Sequence, residues 1–187
     1  TVTFTDLDTG STWTVRENLF DVDTLSNYSS SSSFLPSYNG YRSGLTSLGG
    51  AGNKTGLTMD YQGGVAGGWY GVLGGFYYPT NGGTGSLTSL MNAGGVASAG
   101  SRGLYHFTTT TNQVKDGSTT LDIGFHYVAA EPATGLPCDG DGDGLADYAE
   151  DRNGNGTFEA GLGETDWQTS PNGTTGTAGL QVFTPLE

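Results

Sequence analysis

Between Asp139 and Asp151 the chain reads DGDGDGLADYAED, with six acidic residues in thirteen positions, the first three separated by single glycines. Carboxylates at alternate positions of a sharply bent backbone converge, and converged carboxylates repel unless a cation lies between them. Asp139, Asp141, Asp143, Gly144 and Glu150 satisfy the pattern D-x-D-x-D-G-x5-E without exception. The chemistry that uses this spacing is calcium binding, since Ca²⁺ takes six to eight hard oxygen ligands at ~2.4 Å. The carboxylates of Asp139, Asp141 and Asp143 supply loop positions 1, 3 and 5, and Gly144 at position 6 permits the bend. The carbonyl of Leu145 supplies position 7, Asp147 position 9, directly or through water, and Glu150 a two-oxygen ligand at position 12.

A second loop follows without a spacer. Asp151, Asn153, Asn155 and Gly156 occupy positions 1, 3, 5 and 6, Thr157 offers its carbonyl, and Glu159 falls at position 9. Position 12 is Leu162, which has no ligating side chain. The stretch EAGLGE therefore reads as a two-residue insertion, with Glu164 as the replacement ligand and Asp166 just beyond. Two Ca²⁺ ions within 139–166 are expected. LADYAEDR is the only stretch here with helical character, about two turns, whereas true EF-hands carry long flanking helices. The segment resembles the thrombospondin type 3 and dockerin-like calcium repeats of secreted proteins.

The rest of the chain must hold these loops. Of its 187 residues 34 are glycine, far above the usual ~7%, which disfavours long helices and fits many tight turns. With 19 Asp and Glu against 6 Lys and Arg the formal net charge is −13. That excludes the clustered basic surface which nucleic acid or an anionic membrane requires. The lone Cys138 cannot form an intrachain disulfide, and no apolar run is long enough to span a bilayer. The opening TVTFTDLD, without an initiator Met, reads as a processed mature chain.

Along the chain, Val2 and Phe4, then Trp13 and Val15, alternate with polar residues as a strand, a turn and a strand. RENLF, with Asn18 before Leu19 and Phe20, is similar to the strand ends of parallel β-helix rungs. The serine run Ser29–Ser33 reads as a loop, and Asn39–Gly40 between tyrosines as a tight turn. Trp69, Tyr70, Phe76, Tyr77 and Tyr78 form a Gly-rich aromatic stretch that reads as packing, or as a sugar platform. LYHFTTTT and STTLDIGFHYV, joined by NQVKDG, form the best candidate strand pair. Leu180–Phe183 reads as a closing strand. No fixed repeat period is visible.

GLYHFTTTTNQVKDGSTTLDIGFHYVA, followed by DGDGDGLADYAEDRNGNG and GETDW, resembles a segment of very large secreted proteins of environmental bacteria. There the tail of a right-handed parallel β-helix precedes a calcium segment. SLMNAGGVASAGSRGLYHF extends the likeness, which covers roughly 18–167 and is specific from Leu87 onward. The chain departs from it by its shortness and its longer second loop. The resemblance implies a β-helix-like fold and export, and no activity. The chain is also similar to calcium-dependent tube or filament subunits of the extracellular space.

The expectation is an all-β chain, parallel β-helix-like or an irregular β-solenoid or sandwich, with a loop-rich calcium segment. It divides into a β-rich part (1–130), tandem calcium loops (131–171) and a linker with a strand (172–187). The expected role is a secreted, self-assembling structural protein, extracellular or at the cell surface, that polymerises by strand or rung stacking. A carbohydrate-binding or adhesin module is the alternative, with a glycan as partner. No enzyme is expected: His106 and His126 sit in aromatic strand settings, without a hydrolase or metalloprotease motif. Arg102 and Lys115 are the nearest bases for a lyase.

Overall fold

The structure, a computed structural model, describes residues 1–5, 10, 12–27, 33–63, 75–80 and 86–169. Most of the serine run, Trp69, Tyr70 and the closing strand at Leu180–Phe183 lie outside the described residues. The fold is predominantly β with little helix. Among the described residues no helix is long and apolar enough to cross a membrane.

The described residues hold nine short strands: β1 (Val2–Phe4), β2 (Thr12–Arg16), β3 (Leu19–Phe20), β4 (Leu25–Asn27), β5 (Ser33–Ser37), β6 (Gly40–Arg42), β7 (Lys54–Leu57), β8 (Phe107–Thr108) and β9 (Tyr127–Val128). The first seven pair in parallel and never with their immediate successor until β6 meets β7. β1 lies on β4, β2 on β5 and β3 on β6, so three consecutive strands are followed by three that run alongside them in the same order. β1 and β2 are thus not a hairpin. The register sets the packing: Phe20 faces Tyr41, and their rings stack at 5.4 Å. Such an aromatic pair adds ~0.5–1.5 kcal/mol beyond the area it buries.

Asparagines turn the corners before β3, β6 and β7. Asn18, Asn39 and Asn53 each directly precede the strand or its first residue, and each follows a residue in the left-handed region: Glu17 (φ 61), Tyr38 (φ 53) and Gly52 (φ 72). Asn39 is fully buried. Its Oδ1 accepts from Asn18 N at 3.0 Å and Asn18 Nδ2 at 3.2 Å, and its Nδ2 donates to Val15 O at 2.8 Å. Its own N–H donates to Asn53 Oδ1 at 2.9 Å. The amides thus link three corners in one file. Asn39–Gly40 is therefore not the hairpin turn that its dipeptide signals. Gly40 lies within β6, where an added Cβ would press on Leu19, Leu57 and Leu90.

Two apolar clusters fill this region, one around Val15, Phe20 and Tyr41, the other around Leu57, Tyr78, Leu87, Leu90 and Ile123. Residues 103–130, expected as a long strand pair, contain only the two-residue antiparallel match of β8 with β9. The backbone groups that would extend the pair are engaged elsewhere: Thr110 N donates to Thr108 Oγ1, Thr109 O accepts from Tyr78 N and Phe107 O from Asp116 N.

Candidate metal centre

The acidic segment is docked on the body. Cys138 N donates to Ala129 O at 3.0 Å, and Asp147 N to Cys138 O at 2.9 Å. Tyr105 N donates to Gly154 O at 3.0 Å, and the Tyr105 ring lies against Gly156. Burial pushes the half-buried Cys138 thiol up to about 11, with the Glu131 and Asp147 carboxylates adding to the effect and Lys115 opposing it.

Asp139, Asp141 and Asp143 each offer a carboxylate oxygen within 4.8 Å of the others, a group that could hold a metal ion. Backbone donors arrange them. Asp139 Oδ1 accepts from Gly142 N at 2.8 Å and Oδ2 from Gly144 N at 3.0 Å, Asp141 Oδ1 from Asp143 N at 3.1 Å, and Asp143 Oδ1 from Leu145 N at 2.8 Å. Gly144 adopts φ +94, the bend that position 6 requires. Asp141 Oδ2 is shut off from solvent and accepts no hydrogen bond. Shielding from water, followed by the carboxylates of Asp143, Asp139 and Asp147, holds the Asp141 carboxyl above its ordinary range, against a lowering bond from Asp143 N. An orphaned carboxylate oxygen is costly, and among three acids it fits a cation.

Glu150 is buried, and so is Asp147. Both oxygens of the Asp147 carboxylate are engaged: Oδ1 accepts from Gly140 N, within the first loop, at 2.6 Å and Oδ2 meets Lys115 Nζ. The expected two-turn helix is one turn, α1 (Asp147–Glu150), because Asp151 already begins the next loop.

The second loop repeats the hydrogen-bond frame of the first. Asp151 Oδ2 accepts from Gly156 N, Asn153 Oδ1 from Asn155 N, and Asn155 Oδ1 from Thr157 N. These are the same position-6-to-1, 5-to-3 and 7-to-5 bonds that Asp139, Asp141 and Asp143 accept. Glu164 folds back on this loop: Oε1 accepts from Asn153 N at 3.3 Å and Oε2 from Glu159 N at 2.9 Å. Leu162 is exposed. The amides of Asn153 and Asn155 both donate to Glu159 Oε2.

Sequence reasoning missed the residues that join the loops to the body. His106 is 2% exposed, and its Nε2 lies 2.9 Å from Asp151 Oδ2. Burial, then Lys115, holds its imidazole below the ordinary histidine range, against the Asp151 and Asp147 carboxylates. Lys115, a candidate lyase base, is engaged with Asp147. Trp167 meets the His106 ring edge-on at 4.8 Å and lies 5.3 Å below Lys115 Nζ. The sequence signal was faint: a lysine and a histidine nine positions apart, upstream of the acids. His126 Nε2 lies 2.9 Å from Asp116 Oδ2, close enough for an ion pair but not aligned as a hydrogen bond.

Tyr77 and Tyr78 are 1% exposed, in line with packing rather than a sugar platform. Phe76 of the same stretch and Phe125 are exposed, at the rim of a cleft of about 480 Å³ that Tyr61, Leu19 and Glu17 also line. Compared with known proteins, the chain matches no family model, no curated protein and no solved structure.

Proposed function

We propose that the chain is a calcium-stabilised structural protein of the extracellular space, without enzymatic activity, that self-assembles into a filament or tube. The observation that carries the calcium part is Asp141 Oδ2, a solvent-shielded carboxylate oxygen without a hydrogen bond beside Asp139 and Asp143. Asp139, Asp141, Asp143, the Leu145 carbonyl, Asp147 and Glu150 would hold the first ion. Asp151, Asn153, Asn155, the Thr157 carbonyl, Glu159 and Glu164 would hold a second. Bound Ca²⁺ supplies positive charge and a rigid set of oxygen contacts. The chain's own donors, from Gly142 to Leu145, keep the three carboxylates convergent.

Support for assembly comes from the parallel register and the asparagine corners, which read as short rungs of a β-helix-like stack. Among the described residues β1 and β2 each pair on one side only. An unpaired parallel edge accepts another strand, and a head-to-tail contact that does not close on itself yields a fibre. At net charge −13 copies repel, and calcium lowers that repulsion. The test is calorimetric titration with CaCl₂, followed by electron microscopy and sedimentation in calcium and in EDTA. Uptake of calcium with polymers that disperse in EDTA is expected. No uptake refutes the calcium part, and monomers under both conditions refute assembly.

A second reading, carbohydrate binding, is favoured by the cleft rimmed by Phe76 and Phe125, whose exposed rings offer faces to a sugar. Binding on a glycan array that is lost in Phe125→Ala would support it, and a blank array would end it.

A further inference from the structure

The two loops share no ligand, yet one carboxylate from each meets the same pair of body side chains. Lys115 Nζ contacts Asp147 Oδ2 and lies 3.4 Å from His106 Nδ1. His106 Nε2 lies 2.9 Å from Asp151 Oδ2. Lysine has only donors, so Nδ1 accepts, and the ring proton sits on Nε2 and is donated to Asp151. The order is therefore fixed from Asp147 through Lys115 and His106 to Asp151. His106, Asp147 and Asp151 are at most 2% exposed, and Trp167 packs against both His106 and Lys115.

We infer that Lys115 and His106 are positioning residues for ion binding, which set position 9 of the first loop and position 1 of the second through one hydrogen-bonded chain. This rests on the calcium reading above. A ligating carboxylate is oriented by the donors behind it, and loss of such a donor weakens metal binding by ~10–100-fold. Asp151 Oδ2 has two such donors, Gly156 N from within the loop and His106 from the body. Asp147 Oδ1 holds Gly140 N, at the first turn of the first loop, while Oδ2 is anchored by Lys115. Displacement of the lysine thus frees Asp147 and removes the donor that fixes the His106 ring.

Charge alone makes the opposite prediction. A lysine beside an acidic cation site repels the cation, so its removal should tighten binding. Calorimetric titration of the full chain with CaCl₂ separates the two. In Lys115→Met and His106→Gln, calcium affinity should fall about tenfold relative to the unsubstituted chain. Affinity in Lys115→Met equal to or tighter than that of the unsubstituted chain overturns the inference and leaves Lys115 as a charge only. If the unsubstituted chain takes up no calcium, the calcium reading fails and this inference falls with it. A measurement without substitution guards against variants that do not fold. Long-range ¹H–¹⁵N spectra of the unsubstituted chain should show the His106 ring proton on Nε2, with Nδ1 left to accept from Lys115. A ring protonated at Nδ1 overturns the chain of donors.

Discussion

The asparagine corners of the N-terminal strands and the aspartate loops of the acidic segment turn the backbone by one device and complete it differently. Both pair a left-handed residue with an Asx side chain that accepts backbone N–H groups. Asn39 also donates, to Val15 O, so a corner both gives and takes and can be stacked on the next without net charge. Asp139, Asp141 and Asp143 only accept. Their backbone donors leave Asp141 Oδ2 unanswered, and three negative charges lie together. The lesson is that amide corners are complete within the chain, whereas carboxylate loops call for something from outside. The second loop stands between the two, since its Asn153 and Asn155 amides answer Glu159.

The largest effect should come from the corner. Asn39→Ala orphans Asn18 N and Val15 O in a buried place, at a cost of about 3 kcal/mol. Urea unfolding should show the same loss in calcium and in EDTA, and a loss confined to calcium would erase the contrast. Next, Asp139→Ala combined with Asp143→Ala should remove the first ion from the calorimetric stoichiometry. At calcium 100-fold above the dissociation constant, the stability lost is about 2.7 kcal/mol, and it should vanish in EDTA. Unchanged stoichiometry would contradict the ligand assignment.

The two position-6 glycines sharpen the difference between the loops. A Cβ on Gly144 meets nothing within 4 Å, whereas one on Gly156 runs into the Tyr105 ring. Both substitutions strain a left-handed backbone, but Gly156→Ala should cost about 2 kcal/mol more in thermal melts, from overpacking alone. The smallest effect is expected from Asn155→Asp. It removes a donor to Glu159 and adds a like charge, so stability in EDTA should drop by about 1 kcal/mol while second-loop calcium affinity rises. Affinity that stays flat would mean the second loop does not respond to ligand charge.

The loops were legible because their bends and the group of three aspartates that could hold a metal ion are written within a dozen consecutive residues. Position-by-position matching placed Gly144 at the bend and brought Glu164 in for Leu162, and the structure turns Glu164 back onto Asn153 and Glu159. The parallel strands were only half legible. Asn18, Asn39 and Asn53 are 21 and 14 residues apart and follow Glu, Tyr and Gly, so no single period or dipeptide links them. At Asn39–Gly40 the local turn signal lost to tertiary packing, because only glycine lets Leu19, Leu57 and Leu90 close over β6. The His106 and Lys115 contacts were invisible for a related reason. Their partners lie 45 and 32 residues downstream, and neither residue belongs to a motif.

Cys138 acquires a use from its place at the root of the first loop, held between Ala129 and Asp147 by backbone hydrogen bonds. A thiol raised to about 11 is almost entirely protonated at pH 8, and so alkylates slowly while the segment stays docked. Release of the segment would return it to the reactivity of a free cysteine. The chain thus carries its own stopwatch: the rate at which a maleimide captures this single thiol counts how often the acidic segment lets go.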